Sequence, residues 1–401
     1  MCTFVIYDLG FTIPADIVWY DCDMVIGIDT SRAFGEGKTG TENYSYHLVK
    51  AILRLPESRA HKFVLFTRPN IVIPSELVRK NVIIREIEWK YLWTQAGLAW
   101  ETWWGPRLDA LWIPAHTLPA LRRPGLLTVV TIHGLEYKWL PEYKNWLQRW
   151  YLPLSTFYAA KSANRLIAVS RFTKNQLEKE VHNISKKIKV VYEGVDASAQ
   201  CHSDTVSLQK YDLLSKQYLL FVGTIQPRKN LPALIEAYSL VHKDFPEIKL
   251  VIAGSVGWMA EDVLRAPTRF GVQESVVFTG RIPDGTLSAL YDGALVYAQP
   301  SVTEGFGLPI LEAMAAGVPV VSSDGGALPE IVGSAGVIVN LKSQMTNSQI
   351  DDTFAERLAK ALKMLITDKN LQNDLIAMGR KRVEEFGWDR AAKETLKVLT
   401  G

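Results

Sequence analysis

The sequence predicts an α/β protein of two domains, each a parallel sheet covered by helices, and three observations carry that prediction. The chain has 401 residues, more than one ordinary hydrophobic core accommodates, so about two domains are expected. Its composition, 48% apolar and 22% charged, is that of a folded soluble chain and excludes a disordered or fibrous one. Short apolar segments alternate with amphipathic stretches throughout, the pattern of parallel strands joined by crossover helices.

Strands are expected in the first half at 24–29, 62–67, 82–87, 110–113, 126–133 and 165–169. In the second half they are expected at 218–223, 248–253, 275–279, 294–299 and 318–322. Runs such as Leu219-Leu220-Phe221-Val222 are continuously apolar, as strands buried on both faces must be. The polar stretch from Asp196 to Gln217 contains no clear strand and marks a linker. The expected organisation is an extension over 1–23, a Rossmann-like domain over 24–205, a second over 206–380, and a final helical segment over 381–401. Two such domains facing a cleft would bind ligands at the carboxyl ends of their strands.

Composition also limits function. A formal net charge of +3 gives no general basis for nucleic-acid binding. Cys2, Cys22 and Cys201 show no metal-ligand spacing, and no disulfide framework is expected, which fits a reducing cytoplasm. No apolar run is long enough to span a bilayer, and the first residues lack a basic signal-peptide region. Asp21-Cys22-Asp23 has the spelling of a metal-binding pair but precedes the first strand, so no metal site is assigned to it.

The chemistry gathers at strand ends. After the strand ending near Ser301 comes Glu304-Gly305-Phe306-Gly307-Leu308-Pro309, then a helical stretch with Glu312, closed by Gly317. Pro309 suits a first helical position and Gly317 a cap. The loop would present backbone N–H groups at a helix N-terminus, a seat for phosphate, and Gly305 and Gly307 would let the backbone approach a ligand. Glu304 and Glu312 suit sugar hydroxyls as acceptors, although Glu312 could instead complement the helix dipole. After the strand Tyr218–Val222, Gly223 leads to Arg228-Lys229. That pair could neutralise a diphosphate, or be a solvated turn. His133 ends an otherwise apolar strand, a position that sets it apart from the other histidines. Gly35 to Glu42 forms a glycine-rich turn before a helix, in which Thr39 and Glu42 have capping-box spacing. Its glycines would allow close approach of a bound sugar or acceptor. Trp89, Trp93, Trp100, Trp103, Trp104 and Trp112, and later Trp139, Trp146 and Trp150 among Lys138, Lys144 and Arg149, allow two readings. Core packing explains most of them, and contact with a membrane surface is the other.

In combination these residues resemble the retaining glycosyltransferases of family 4, which have the GT-B fold. The resemblance rests on Glu304 and Glu312 around Gly-Phe-Gly-Leu-Pro, together with Ala168-Val169-Ser170, Phe172-Thr173, Gly194-Val195-Asp196 and Gly326-Ala327-Leu328-Pro329-Glu330. It implies that Glu312 holds the donor ribose and Glu304 the transferred sugar. Arg228 and Lys229 would contact the diphosphate with backbone N–H groups of Phe306, Gly307 and Leu308, His133 the donor sugar, and Gly280 and Arg281 the base, while Gly40 and Thr41 would lie near the acceptor. The stretch from Gly27 to Leu55, with His133-Gly134, looks most like bacterial polysaccharide mannosyltransferases. GDP-mannose is therefore the favoured donor, with a UDP-hexose as rival, and a glycan or lipid-linked molecule the acceptor. No cofactor or metal is expected, since the nucleotide-sugar is a co-substrate. The place of action would be the cytoplasm or the inner face of the plasma membrane. An epimerase of the same architecture and a silent sugar-nucleotide-binding protein are the competing classes.

Overall fold

The structure, a computed structural model, describes residues 23–35, 40–135, 146–196, 208–342 and 352–401. The chain divides into two compact units. The amino-terminal unit comprises the chain up to Gly194 together with Trp388–Gly401, and the carboxy-terminal unit is Val195–Gly387.

In the amino-terminal unit, β1 (Val25–Asp29), β2 (Lys62–Thr67), β3 (Val82–Glu86), β4 (Ala110–Ile113), β5 (Leu127–Ile132), β6 (Arg165–Ala168) and β7 (Ile188–Val190) form one sheet. Its order is β3-β2-β1-β4-β5-β6-β7, and every pair is parallel. Ile26 and Ile28 on β1 and Phe63 and Phe66 on β2 are fully buried, as expected where helices cover both faces. The last helix, Trp388–Thr400, buries Trp388, Ala392, Leu396 and Leu399. It packs on the helix Gly40–Arg54, whose His47 ring stacks on Trp388 at 5.2 Å. A Cβ on Gly194 would lie 2.4 Å from the Trp388 amide nitrogen, so only glycine fits that approach.

In the carboxy-terminal unit, β8 (Tyr218–Val222), β9 (Lys249–Ala253), β10 (Val276–Gly280), β11 (Val296–Gln299), β12 (Val320–Ser323) and β13 (Val337–Val339) form the second sheet. Its order, β10-β9-β8-β11-β12-β13, is again wholly parallel. The helix Leu231–His242 turns Leu231, Leu234, Ile235, Tyr238 and Val241 inward, the spacing of one apolar stripe. The helix Phe354–Thr367 packs against it and begins with a capping box between Thr353 and Glu356.

The expected strands are present in their expected places, giving two Rossmann-like sheets and the GT-B architecture. The edge strands β7 and β13 were not foreseen. Each has three residues and pairs on one side only, too short to show a period in sequence.

Candidate donor site and the amino-terminal cluster

In the carboxy-terminal sheet the strand order reverses between β8 and β11, and in open α/β sheets such a switch point opens a ligand crevice at the strands' carboxyl ends. The basic pair follows β8 and the acidic loop follows β11, so the two predicted motifs share that crevice. Arg228 and Lys229 sit in a tight helical turn, Pro227–Lys229, that ends at Asn230 in the left-handed conformation. The Val302 amide donates to the Arg228 carbonyl at 2.8 Å and fixes one loop against the other.

Glu304 is the centre of the cluster. Its Oε2 meets Arg228 Nη1 at 2.5 Å and its Oε1 meets Lys229 Nζ at 2.5 Å. Oε1 also accepts from Ser301 Oγ at 2.7 Å and Gln299 Nε2 at 2.9 Å. Glu304 is 6% exposed and Lys229 7%, so these charges are largely out of water. Burial pushes the Glu304 carboxyl up, but Arg228, Lys229 and Ser301 outweigh it and hold the group at about 2 against an ordinary 4.5. Two cations and one anion leave the cluster net positive, which suits an anionic ligand.

The loop then enters the helix Leu308–Ala315, with Gly307 at its N-cap at φ +112° and Pro309 in the first turn. The backbone N–H groups at Leu308 and its neighbours thus lie at a helix N-terminus, where the dipole favours negative charge. The loop is backed closely: the Ala327 amide donates to the Glu304 carbonyl at 2.9 Å, and a Cβ on Gly326 would lie 2.4 Å from that oxygen. Phe306 is buried, its ring edge-on to Phe386 at 5.9 Å. Glu312 lies in the second turn and accepts from the Tyr291 hydroxyl at 2.7 Å. Dipole complementation fades beyond the first turn, so the helix end does not account for Glu312. Burial, reinforced by Glu312, pushes the Tyr291 phenol well up, leaving it a donor to that carboxylate. Gly223 follows β8 and Gly280 ends β10, and Arg281 beside it is exposed.

In the amino-terminal unit His133 follows β5. Its Nε2 lies 2.8 Å from the Pro114 carbonyl oxygen and its Nδ1 3.3 Å from Glu193 Oε1. Tyr44 meets the ring edge-on at 4.6 Å. His116, 5.8 Å away between ring centres, is driven by burial to about 3 and stays neutral. Both nitrogens of His133 thus lie within hydrogen-bond distance of a protein acceptor, and which one donates depends on the tautomer. Gly40 and Thr41 open the helix Gly40–Arg54. The rest of the glycine-rich turn, 36–39, with the Thr39 end of its capping box, lies outside the described residues, as do Asp21, Cys22, Trp139 and the linker over 197–207.

The structure thus brings Arg228, Lys229, Glu304 and the Gly305–Leu308 loop together, places Glu312 in the following helix, and keeps His133, Gly40 and Thr41 in the other unit. Sequence reasoning missed Gln299 and Ser301, which with Tyr297 occupy alternate positions running out of β11. Polar residues at alternate positions of an otherwise apolar strand are a legible signal. Glu193 and Tyr291 carried none. Among the described residues, no group of three or more His, Cys, Asp and Glu side chains could hold a metal ion. No helix among them is long and apolar enough to cross a membrane.

Comparison with known proteins agrees with this layout. The family described as "Glycosyl transferases group 1" matches residues 207–382, and "Glycosyltransferase Family 4" matches 39–199. The chain is 30% identical to O-antigen chain mannosyltransferase B of Escherichia coli, over 67% of this chain and 69% of that one. It is 28% identical to alpha-maltose-1-phosphate synthase of Mycolicibacterium smegmatis, over 68% and 73%. The solved sucrose-phosphate synthase of Thermosynechococcus elongatus shares the fold at a TM-score of 0.72 and 18% identity, over 94% of this chain and 98% of that one.

Proposed function

The chain belongs to the family 4 glycosyltransferases of GT-B fold, and on that premise we propose that it transfers mannose from GDP-mannose, with retention, to a glycan or lipid-linked acceptor. The observation that carries a nucleotide-sugar reading is the Arg228–Lys229–Glu304 cluster at the β8/β11 switch point, beside the helix N-terminus at Leu308. Mannose is supported by likeness to the O-antigen mannosyltransferase. Its place of action is the cytoplasm, at the inner face of the plasma membrane.

In this reading the donor diphosphate lies against Arg228, Lys229 and the Phe306–Leu308 amides. When the bond from the anomeric carbon to the diphosphate oxygen breaks, the electron pair stays on that oxygen. The two cations stabilise the developing charge, a role that needs no metal ion. The acceptor hydroxyl attacks on the same face and its proton leaves with the diphosphate. Glu304 sets the positions of both cations and meets a sugar hydroxyl through Oε2. Glu312, aimed by Tyr291, accepts from the ribose hydroxyls. His133 meets the donor sugar by exchanging the Pro114 or Glu193 contact, Gly40 and Thr41 lie by the acceptor, and Gly223, Gly280 and Arg281 border the nucleotide.

Thermal-shift and transfer assays over GDP- and UDP-sugars, with and without EDTA, test the reading. A ligand at a hundred times its Kd stabilises by about 2.7 kcal/mol, so GDP-mannose should give the largest shift and support turnover in EDTA. A larger response to a UDP-hexose would change the donor. Conversion of the donor to its epimer without any acceptor would make the protein an epimerase, and a strict metal requirement would overturn the leaving-group argument.

A further inference from the structure

We propose that Arg382 and Phe386 are positioning residues for donor transfer, which together hold the Phe306–Leu308 amides in place for the leaving diphosphate. The inference rests on the nucleotide-sugar reading of the Arg228–Lys229–Glu304 cluster and adds two residues from the far end of the carboxy-terminal unit. Of the four residues from Glu304 to Gly307, two are glycines. Glycine leaves a backbone free to adopt many conformations, so the direction of the amides depends on what holds the other two side chains. Glu304 is held by the cations. Phe306 is held by packing, its buried ring edge-on to the ring of Phe386.

Phe386 is itself buried and fixed from several directions. Its amide donates to the Val383 carbonyl at 2.9 Å, and its carbonyl accepts from the Val195 amide at 2.8 Å. Arg382 lies over its ring, with Cζ 4.9 Å from the centroid, within the range of a cation–π contact. The same guanidinium donates from Nε to the Ile331 carbonyl at 3.1 Å and from Nη2 to the Glu330 carbonyl at 2.6 Å. Its Nη1 meets Glu385 at 2.7 Å. Glu330 and Ile331 belong to the helix Leu328–Val332, whose last carbonyls have no partner within the helix. That helix follows Ala327, whose amide holds the Glu304 carbonyl, and its Leu328 side chain would lie 2.9 Å from a Cβ on Gly307. The contacts therefore close a ring that runs from Phe306 through Phe386, Arg382 and this helix back to Glu304 and Gly307.

The helix Lys369–Val383, which carries Arg382, also seats the ring on the donor helix. A Cβ on its Gly379 would lie 3.2 Å from Met314 Cγ, and a Cβ on Gly317 would lie 2.9 Å from Arg380 Nη2. Met314 is in the helix Leu308–Ala315 and Gly317 lies just past its end. One helix thus sets the places of both helices that follow the donor loop. Amides that already point at the developing charge stabilise it without having to turn during the reaction. A support that fixes their direction therefore acts on rate as well as on fold. Arginine suits the task because its planar fork can reach two carbonyls while lying flat on a ring, which a lysine ammonium cannot do.

The test compares the full wild-type chain with Phe386→Leu, Arg382→Lys and the double substitution. Leu362→Ala, in the buried core on the helix Phe354–Thr367, serves as a control for lost stability alone. Steady-state transfer from the donor that the wild-type chain uses, Tm, and amide hydrogen exchange are measured on each. Either single substitution should lower kcat about 10- to 100-fold, the cost of a displacement of about an ångström at a reacting centre, with a smaller change in KM. Exchange at 306–308 should quicken while β8 and β9 keep their wild-type protection. The double variant should be no slower than the worse single, because the two residues act through one contact. Leu362→Ala should lower Tm and leave kcat and the loop amides as they are in the wild type. Unchanged kcat in both single variants, or losses that multiply in the double, would overturn the inference and leave Arg382 and Phe386 as packing alone. A wild-type chain that bound neither GDP nor UDP in calorimetry would instead overturn the donor reading, and this inference with it.

Discussion

The two units share one strand order over six positions, β3-β2-β1-β4-β5-β6 and β10-β9-β8-β11-β12-β13, yet their switch points are furnished differently. In the carboxy-terminal unit the strand ends carry a buried lysine and a half-buried arginine around an ionised carboxylate. In the amino-terminal unit β1 ends at Asp29, whose carboxyl burial pushes up, and β4 leads to His116, which burial keeps neutral. One sheet end is a strong, net positive electrostatic site, and the other offers weakly charged hydrogen-bonding groups. A sheet topology therefore decides where a ligand can sit, and the side chains at the strand ends decide which ligand it is.

The sharpest way to break that contrast is Arg228→Ala with Lys229→Ala. Removing one donor to developing charge typically costs 10²–10³ in rate, so transfer should fall at least about 10³-fold. The substitution also leaves Glu304 buried without cations, and denaturant unfolding should show a loss of about 3–5 kcal/mol. An enzyme that kept full activity would remove both residues from the chemistry.

Glu304→Gln should act in two opposite directions. Transfer should fall about 100-fold as the cations lose their anchor, whereas calorimetry should show GDP alone binding more tightly, because the cluster gains net positive charge. The same variant should change acid unfolding. The folded carboxyl titrates near 2 and ordinarily near 4.5, so the native state binds fewer protons between those values. Its stabilisation is complete above about pH 4.5 and is lost as pH falls towards 2, and that stretch of the unfolding curve should flatten in the variant. Weaker GDP binding would mean that Glu304 does not set the charge of the site.

Glu312→Ala should weaken donor binding by about 1.5–3 kcal/mol, the worth of a charged hydrogen bond; unchanged affinity would take Glu312 out of the site. The smallest effect should come from Glu193→Gln, which keeps the shape beside His133 but removes the charge. Steady-state kinetics should show kcat/KM within about fivefold of wild type. A hundredfold loss would shift the electrostatic weight towards the amino-terminal unit.

Much of this was legible in the sequence because it is local. Continuous apolar runs located the long strands, and Gly307, Pro309 and Gly317 located a helix with its phosphate-facing end. What escaped was non-local or too short. Nothing in the chain announces that Arg228 and Lys229 pair with a carboxylate 76 and 75 residues away, since only the adjacency of β8 and β11 joins them. Glu193 lies outside any periodic segment, and β7 and β13 are too brief to declare a period. The tryptophans were ambiguous for a related reason. Burial separates Trp93 and Trp112 from Trp100, Trp103 and Trp104, and only the helix face they occupy reveals the division.

The chain leaves the amino-terminal unit at Gly194 and re-enters it at Trp388, with Val195 hydrogen-bonded to the Phe386 carbonyl at 2.8 Å. This has a consequence for biosynthesis. The amino-terminal unit cannot finish folding when its own first stretch has emerged from the ribosome, because the helix whose Trp388 packs on Tyr44 and His47 is made only after the second unit. At 5–20 residues per second, that surface waits roughly 10–40 s while the second unit is synthesised. The nascent protein thus carries an uncovered apolar face while the whole second unit is made, and loss of the helix Trp388–Thr400 by premature termination should yield an aggregating first unit.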